Sequence, residues 1–579
     1  MNEKIENQLN LAMSLPEEQL LRTDDLSVGF DEVTNTRDLI VRYKSLEQTR
    51  QIPGIVVDEL SNGYAILNVS ERYINYLASL PEIIFIEKPK RLEFSVISAG
   101  RVSCIPQVQV SNFLPGSDTL GGLFGEGVIV GIVDSGIDYT HPAFLNQDGT
   151  TRILKLWDQV ADQVYDETQI NEALSSDNPY SIVDSGDPTG HGTHVAGIAA
   201  GNFAVNKNNN LGIATKSRLI VVKMATASEN SFPRTTQLMK AVDFVIRQAN
   251  SYGMPLSLNI SFGNAYGSHD GTSLISSYLD SVIDGNLISV QIGSGNEGDS
   301  AGHAGGNITD MQARDIELQV SNFQRSLNVQ LWKDFADIYE IQIIAPSGRR
   351  TAVFGESERA WSFTLDQTDL EILYGSPKPF SKFQEVYIEW IPRENFVAPG
   401  IWTIRIIPLE IVEGRYDLWL PGIMALNENT RFLEPDPFVT LTIPSDTSKA
   451  ISVGAYNSSN DAIASFSGRG FLRENDQIKP DLVAPGVDIT SASPGGGLEI
   501  RSGTSMATPG VTGSAALMME WGIVRGNDPF LYGEKVKAYL IRGARKLPSV
   551  NVWPSPSAGW GALCLRESFL EQFSNKNIY

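Results

Sequence analysis

Apolar runs that alternate with helical stretches are the feature that most limits the fold of this chain. The run at 128–133 is continuously apolar, which is typical of a parallel strand covered on both faces. Similar runs occur at 219–222, 255–260 and 287–292, and residues 235–249 carry apolar side chains at helical spacing. Strands that alternate with helices predict an α/β fold with a doubly wound parallel sheet.

A different pattern fills the region from 310 to 440, where short segments alternate apolar and polar residues. This period-two pattern occurs at 316–320, 327–331, 338–341, 386–390, 401–404 and 416–420. Five of the nine tryptophans fall in the same region, which indicates a separate aromatic core; they are at positions 332, 361, 390, 402 and 419. The pattern predicts an all-β sandwich or jelly roll inserted into the α/β domain, whose own pattern resumes at 450–455.

The first hundred residues predict a small α+β unit. Three strands are expected, at 55–57, 64–69 and 83–86. Asn62-Gly63 is a strong hairpin signal between the first two. Two helices are expected, one around 37–46 and one over 71–80, with Ser70 as the N-cap of the second.

These patterns divide the chain into three domains. We expect an N-terminal domain at 1–98 and an inserted β domain at 309–440. The α/β domain between and after them is formed by 99–308 and 441–579. The apolar pattern fades across 92–104, which marks the first boundary.

Composition excludes several classes of protein. The chain has 579 residues and a net charge of −23, and so acidic a surface repels nucleic acids. Its two cysteines, Cys104 and Cys564, exclude a disulfide scaffold and any multi-thiolate metal site. The charged start of the chain is unlike a secretory signal, and no stretch reaches the roughly 18 apolar residues of a membrane span. We expect a soluble protein made in the cytoplasm, which either folds there or is exported by an unusual route.

Two short segments place acid–base groups beside predicted elements. Asp134 ends the buried run at 128–133, and the carboxyl end of a parallel strand is where open α/β sheets position catalytic groups. An Asp that only caps the next turn is the plainer alternative. His191 and His194 lie three residues apart in a helix rich in small residues. His194 is expected to be a packed, hydrogen-bonded neighbour of the site.

Two further segments supply a hydroxyl and an amide. Asn296 follows a buried strand in a glycine-rich turn, although Asn between glycines is often only a turn former. Ser505 lies near the start of a helix rich in alanine, glycine and methionine. A helix N-terminus offers free N–H groups and a positive partial charge that favour an oxyanion, although Ser is also a common N-cap.

Together the four residues match the needs of acyl transfer by serine. That reaction needs a nucleophilic hydroxyl, an imidazole to take its proton, a carboxylate to orient the imidazole and a donor for the oxyanion. Ser505, His191, Asp134 and Asn296 supply these groups. A metal hydrolase that uses His191 and His194 is the alternative. It would need a third ligand, such as His141, His269 or His303, and no HExxH-type carboxylate accompanies the pair.

The segments around these residues resemble the signature motifs of the subtilisin-like serine proteases (subtilases, peptidase family S8). The resemblance covers roughly 120–305 and 440–565. It implies Ser505 as nucleophile, His191 as general base and acid, Asp134 as its orienting carboxylate, and Asn296 as oxyanion donor. It also implies a substrate-binding edge strand at Ser261, Phe262 and Gly263, and a pocket wall at Gly293, Ser294 and Gly295.

A narrower resemblance is to the clostridial Csp-type subtilases, spore proteases that act in germination. The residues that carry it are the N-terminal unit, the β insertion and the segment 132–138, Ile-Val-Asp-Ser-Gly-Ile-Asp. It implies a pro-domain that acts as an intramolecular chaperone and can stay bound in the active-site cleft after cleavage. The resemblance also implies an inserted jelly roll and a spore-associated protein. We expect self-cleavage within 92–104, because the apolar pattern fades there.

No cofactor or metal is expected. Many subtilases bind calcium after the helix that carries the catalytic histidine, but 202–210 differs in length and pattern and includes Lys207, so calcium is not carried over. The expected partners are a protein or peptide substrate and the protein's own pro-domain. The competing hypothesis is a regulatory or sensor protein that keeps the fold with little turnover, as some Csp-type proteins do. Because all triad positions are present, the sequence favours the enzyme.

Overall fold

The structure is a computed structural model that describes residues 2–23, 25–90, 93–94, 103–110, 122–203, 212–224, 233–473 and 477–576. The first unit contains three helices and five strands that form one antiparallel sheet, in the order β1-β2-β4-β3 with β5 on β2. Its elements are α1 (Asn7–Ala12), α2 (Glu17–Leu20), β1 (Phe30–Asp31), β2 (Thr36–Tyr43), β3 (Val56–Leu60), β4 (Tyr64–Ser70), α3 (Ile74–Ser79) and β5 (Ile83–Glu87).

Two expectations for this unit are wrong. Residues 37–46 do not form a helix, because 36–43 are the central strand β2, where Leu39, Ile40 and Val41 are all fully buried between neighbouring layers. Ser70 makes no side-chain capping bond, and the helix over 71–80 begins as a 3₁₀ turn before α3. The expected strands and the hairpin at Asn62 are confirmed.

A nine-stranded, mainly parallel sheet forms the centre of the molecule, as the alternating pattern predicts. Its order is β25-β24-β13-β11-β7-β10-β8-β9, with β28 on the other side of β24. The parallel strands are β7 (Ile129–Asp134), β8 (Ile153–Asp158), β10 (Arg218–Lys223), β11 (Leu256–Ile260), β13 (Ile288–Gly293), β24 (Ile451–Asn457) and β28 (Leu482–Pro485). Two short antiparallel strands extend the sheet, β9 (Gln163–Asp166) at the edge beside β8 and β25 (Ala462–Ile463) along the end of β24.

Helices cover both faces of this sheet, so that it has a separate core on each side. They are α4 (Glu167–Leu174), α5 (His191–Ala200), α6 (Thr235–Tyr252), α7 (Leu274–Gly285), α8 (Thr504–Met519), α9 (Glu534–Arg542) and α10 (Leu565–Lys576). Helices α5 and α8 pack against each other on one face, where their small residues allow close approach. Short strand pairs lie outside the sheet, formed by β26 (Gly470–Phe471), β27 (Ile478–Lys479), β29 (Ile489–Ser493) and β30 (Gly497–Arg501).

Two antiparallel sheets interrupt the α/β domain and share one core. The six-stranded sheet is β14-β22-β16-β20-β19-β18, and the four-stranded sheet is β17-β21-β15-β23. The strands are β14 (His303–Asn307), β15 (Arg314–Val320), β16 (Leu327–Asp334), β17 (Ile338–Ile344), β18 (Ala360–Leu365), β19 (Thr368–Tyr374), β20 (Phe383–Pro392), β21 (Gly400–Glu410), β22 (Arg415–Trp419) and β23 (Arg431–Phe432). Trp390 and Trp402 meet edge to face in this core, 6.1 Å apart. The six expected strands are confirmed, and the jelly-roll topology stays a prediction.

The N-terminal unit touches both other parts of the molecule. Leu11, Leu20 and Leu26 pack against Leu373 and Tyr387 of the inserted sheets. On the other side, β6 (Glu93–Phe94) pairs antiparallel with β12 (Phe262–Gly263) of the α/β domain. The unit therefore bridges the insertion and the edge of the central domain.

A disulfide joins Cys104 to Cys564 across 460 residues of sequence. The sequence excludes a disulfide scaffold, and a single bond is consistent with that, but its existence is not expected from the spacing of the two residues. The bond fixes the segment after the N-terminal unit to the start of α10.

Candidate active site

Asp134 and His191 are brought together by the ends of two neighbouring elements. Asp134 is the last residue of β7, and His191 is the first residue of α5. Both side chains are fully buried, and His191 Nδ1 donates to Asp134 Oδ1 over 2.6 Å. Gly192 makes this approach possible, because a Cβ there would lie 2.2 Å from the carbonyl of Gly136 and 3.0 Å from Cβ of Asp134.

A second carboxylate, Asp187, organises the turn that leads into α5. It accepts hydrogen bonds from the Ser135 hydroxyl (2.7 Å), the Thr193 hydroxyl (2.8 Å) and the backbone N–H of Gly190 (3.0 Å). Gly190 has a φ of +71°, a left-handed conformation that favours glycine. These bonds hold the first turn of the helix that carries His191 against the end of β7.

Ser505 lies in the first turn of α8, and its side chain is buried. Its hydroxyl donates to the carbonyl of Ser261 over 3.4 Å. The chain just before α8 meets the chain just before α5, since Arg501 Nη2 donates to the carbonyl of Thr189 over 2.6 Å. The N-terminal ends of the helices that carry His191 and Ser505 therefore lie side by side.

Asn296 follows β13, and its amide is oriented by α8. Its Oδ1 accepts from both the backbone N–H and the hydroxyl of Thr504, each over 3.1 Å. This arrangement leaves the Nδ2 group of Asn296 facing away from the helix as a donor. Asn296 and Ser505 line the same pocket.

That pocket has a volume of about 220 Å³ and is lined by residues from six stretches of the chain. The edge segment contributes Ser261, Phe262, Gly263 and Asn264, and the turn after β13 contributes Gly293, Gly295, Asn296, Glu297 and Asp299. The insertion contributes Gly422, Ile423 and Met424, and the remaining lining residues are Thr442, Phe466, Thr504 and Ser505. Ser294 is buried beside the pocket, where its backbone bonds to Val453 and Thr442.

The edge segment already carries a strand in this structure. In the antiparallel pair of β6 and β12, Phe94 lies opposite Phe262 and Glu93 lies opposite Gly263. The predicted cleavage segment 92–104 begins here, although 91–92 and 95–102 lie outside the described residues. Residues 93–94 of the N-terminal unit thus pair with a strand whose residues line the same pocket as Ser505.

His194 takes part in packing. Its Nε2 lies 3.1 Å from the carbonyl of Ile489 and 3.3 Å from that of Glu499, and burial lowers the pKa of His194 to about 3. A neutral imidazole that donates to backbone carbonyls fits the expected structural role.

The other candidate ligands of the metal alternative lie elsewhere. His141 Nδ1 accepts from the N–H of Ala143, while His269 and His303 stack on Trp419 at 4.2 and 4.9 Å. Among the residues that the structure describes, no group of three His, Cys, Asp or Glu side chains could hold a metal ion. Most of the loop 202–210, considered for calcium, lies outside the described residues.

Sequence reasoning missed Asp187 and the insertion's part of the pocket. Asp187 lies in an irregular loop, and only its neighbours Ser135 and Thr193 within the motifs point to it. Ile423 and Met424 lie in a 3₁₀ turn more than 120 residues after Asn296, without a recognisable motif. The N–H of Ile423 donates to the Glu297 carboxylate over 3.3 Å, and desolvation raises the pKa of Glu297.

Comparisons with known protein families agree with this arrangement. The subtilase family matches residues 125–321 and 427–561, which together span more than half of the chain. The Csp protease B prodomain family matches residues 3–90. The gap between the two subtilase segments coincides with most of the inserted β sheets. None of the helices in the described ranges has the length and apolar character needed to cross a bilayer.

Individual relatives point in the same direction. The solved structure of the Clostridium perfringens CspB protease is 39 % identical, covers 82 % of this chain and 97 % of that one, and superposes with a TM-score of 0.76. The minor extracellular protease Vpr of Bacillus subtilis is 23 % identical over 460 residues, 76 % of this chain, and this chain spans about half (51 %) of its length. Subtilisin E of Bacillus subtilis is 46 % identical over 80 residues, 14 % of this chain and 19 % of that protein.

These matches cover the central sheet, the segments around Asp134, His191, Asn296 and Ser505, and the N-terminal unit. The chain belongs to the subtilase family of serine proteases and carries a prodomain of the Csp protease B type.

Proposed function

We propose that this protein is a serine endopeptidase that hydrolyses peptide bonds through an acyl-enzyme on Ser505. The observation that carries the proposal is the buried 2.6 Å hydrogen bond from His191 to Asp134, at the end of a helix whose first turn lies beside that of Ser505. The bond fixes Nδ1 as the protonated nitrogen. Nε2 of the imidazole is then the nitrogen that can accept a proton.

In the first step His191 Nε2 takes the proton of the Ser505 hydroxyl while the oxygen attacks the substrate carbonyl. Asp134 stabilises the imidazolium that forms. His191 then gives the proton to the leaving amine, which departs as the peptide C–N bond breaks. A water molecule then gives a proton to His191 Nε2 and attacks the carbonyl carbon of the ester. The bond from that carbon to the Ser505 oxygen breaks, the Ser505 oxygen takes the proton back, and the acid product leaves.

The tetrahedral oxyanion needs donors, and two are in place. Asn296 presents its Nδ2 group to the pocket because Thr504 holds its oxygen. The backbone N–H of Ser505 lies in the first turn of α8, where it adds the positive end of the helix dipole. The residues of the edge strand, Ser261, Phe262 and Gly263, would pair with the substrate backbone as they now pair with β6.

The N-terminal unit, with 1–98 as its bounds, is proposed to act as pro-domain and to be cut off within 92–104. Support comes from β6, which pairs with the strand Phe262–Gly263 on the wall of the pocket that contains Ser505. The intact mass of the purified protein should show two fragments and that of Ser505→Ala one chain. A wild-type protein of full mass would contradict self-processing.

The resemblance to a Csp protease extends the proposal to limited proteolysis of another protein during spore germination, with the inserted domain at 309–440 forming a jelly roll. A fluorophosphonate probe tests the chemistry directly. Labelling that depends on both Ser505 and His191 supports the enzyme. Absent labelling of folded, processed protein would favour the regulatory or sensor alternative.

A further inference from the structure

An exposed apolar surface adjoins the pocket on the side of the insertion. Ile423 and Met424 line the pocket, yet they remain 49 % and 58 % exposed. Phe323 and Phe396 are 69 % and 39 % exposed, and their rings meet edge to face at 5.3 Å. Single exposed apolar residues are ordinary, but a group of them on adjoining loops marks an interaction site. We call these four residues the insertion patch.

Hydrogen bonds of Gln324 join the loops that carry the insertion patch. The buried Gln324 side chain accepts from the N–H of Asn427 over 2.9 Å and donates to the carbonyl of Ala425 over 3.4 Å. Its backbone carbonyl accepts from the N–H of Val397 over 2.8 Å. The loops at 322–324, 396–397 and 423–427 therefore form one connected surface.

Phe323 also adopts an unfavourable backbone conformation. Its φ is +67°, in the left-handed region that bulky side chains avoid. Apart from its edge-to-face contact with Phe396, the Phe323 ring is mostly exposed, so packing in the folded protein offsets little of this strain. Strain of this kind is found where a side chain is presented to a ligand.

We propose that the insertion patch docks an apolar segment of a polypeptide substrate whose scissile residue occupies the pocket beside Ser505. This inference rests on the proposed peptidase function. We assign the patch to the substrate because it is continuous with the pocket. Ile423 and Met424 belong both to the patch and to the pocket wall. A chain that fills the pocket therefore continues across or near Phe323 and Phe396. The insertion would thereby select extended or unfolded protein segments over short peptides.

Binding to the uncut protein tests the patch alone and needs no activity, because β6 stays on the edge strand there while the four patch residues remain exposed. The probe is β-casein, a disordered protein rich in apolar residues, added to the Ser505→Ala protein. We expect the variant Phe323→Ser/Phe396→Ser, in the Ser505→Ala background, to bind β-casein about tenfold more weakly. The matched control is Phe335→Ser, which removes another phenylalanine of the insertion that is 50 % exposed. Equal binding by all three proteins would overturn the proposal.

Kinetic measurements test the docking role of the patch separately from the peptidase activity of the pocket. In the active protein, the ratio of kcat/KM for β-casein to that for a four-residue peptide p-nitroanilide should fall about tenfold in Phe323→Ser/Phe396→Ser. The ratio should stay constant in Phe335→Ser. A wild-type protein that cleaves neither substrate would overturn the peptidase, and the binding measurement would still decide the docking surface.

A second copy of this chain is the other possible occupant of the patch. Sedimentation of the Ser505→Ala protein decides between them. A dimer that becomes a monomer in the Phe323→Ser/Phe396→Ser variant would overturn substrate docking, whereas a monomer that binds β-casein through the patch would support it.

Discussion

The two walls of the pocket differ in how they are built. The wall formed by the α/β domain places Ser505 and Asn296 at element ends, where hydrogen bonds from buried neighbours fix each group. The wall formed by the insertion presents Ile423 and Met424 from a short turn, half open to solvent. We propose that the rigid wall carries out the chemistry and that the exposed wall selects the substrate.

Replacing the nucleophile should give the largest effect. Ser505→Ala should lower kcat by about 10⁶-fold, because no acyl-enzyme can form without the nucleophilic hydroxyl. Steady-state hydrolysis of a peptide p-nitroanilide measures it. Ser502→Ala, a buried serine just outside the helix, is a matched control that should retain most of the activity. Similar rates in Ser505→Ala and wild type would show that Ser505 is not the nucleophile and that the rigid wall does not carry out the chemistry.

Replacing the oxyanion donor Asn296 should give the second largest effect. Asn296→Ala should lower kcat by about 10²–10³-fold while KM changes little, because the amide acts on the transition state. Full kinetic curves separate the two constants. An increase in KM with an unchanged kcat would show that Asn296 only shapes the pocket.

The buried His194 of the α/β domain, outside the pocket itself, should make stability depend on pH. Burial lowers the pKa of His194 from 6.5 to about 3, so between these values the unfolded chain binds a proton that the folded protein does not. Stability is therefore fully present above pH 6.5 and is lost as the pH falls toward 3. From pH 7 to 4.5 this amounts to on the order of 2 kcal/mol.

His194→Gln keeps a side-chain donor for the carbonyls of Ile489 and Glu499 and removes the titration. Urea unfolding at several pH values should show a smaller loss of stability on acidification in this variant. The same slope in both proteins would mean that His194 is not the group responsible.

The exposed wall should give the smallest effect and only on selectivity. Met424→Ser should lower kcat/KM by about tenfold for peptides with a large apolar residue before the scissile bond, and by less for those with alanine there. A panel of peptides that differ at this one position measures it. An equal decrease of kcat/KM for all peptides would show that Met424 stabilises the rigid wall and does not select the substrate.

Sequence patterns indicated which element ends carry Asp134, His191 and Ser505 because these signals are local, and the catalytic roles of the three residues stay predictions. A buried strand that ends in Asp134 and helices that begin near His191 and Ser505 put each group at the end of a regular element, and the parallel sheet brings those ends together. The same logic failed at β2, where Leu39, Ile40 and Val41 occur in succession, so the strand has no two-residue alternation.

The exposed wall could not be predicted in the same way. Its residues lie within an insertion whose strands are readable from their alternation, but the loops between strands carry no periodicity. Which loop reaches the pocket depends on how the insertion is oriented on the central sheet. Asp187 was missed for a related reason, since its role is visible only once Ser135 and Thr193 converge on it.

The bond between Cys104 and Cys564 changes what removal of the N-terminal unit would leave behind. If the cut falls before position 104, the newly made end is tied covalently to the residue before α10. That end could then fray only over the few residues ahead of Cys104. A peptidase that trims chains from this end would have to stop at the anchored residue.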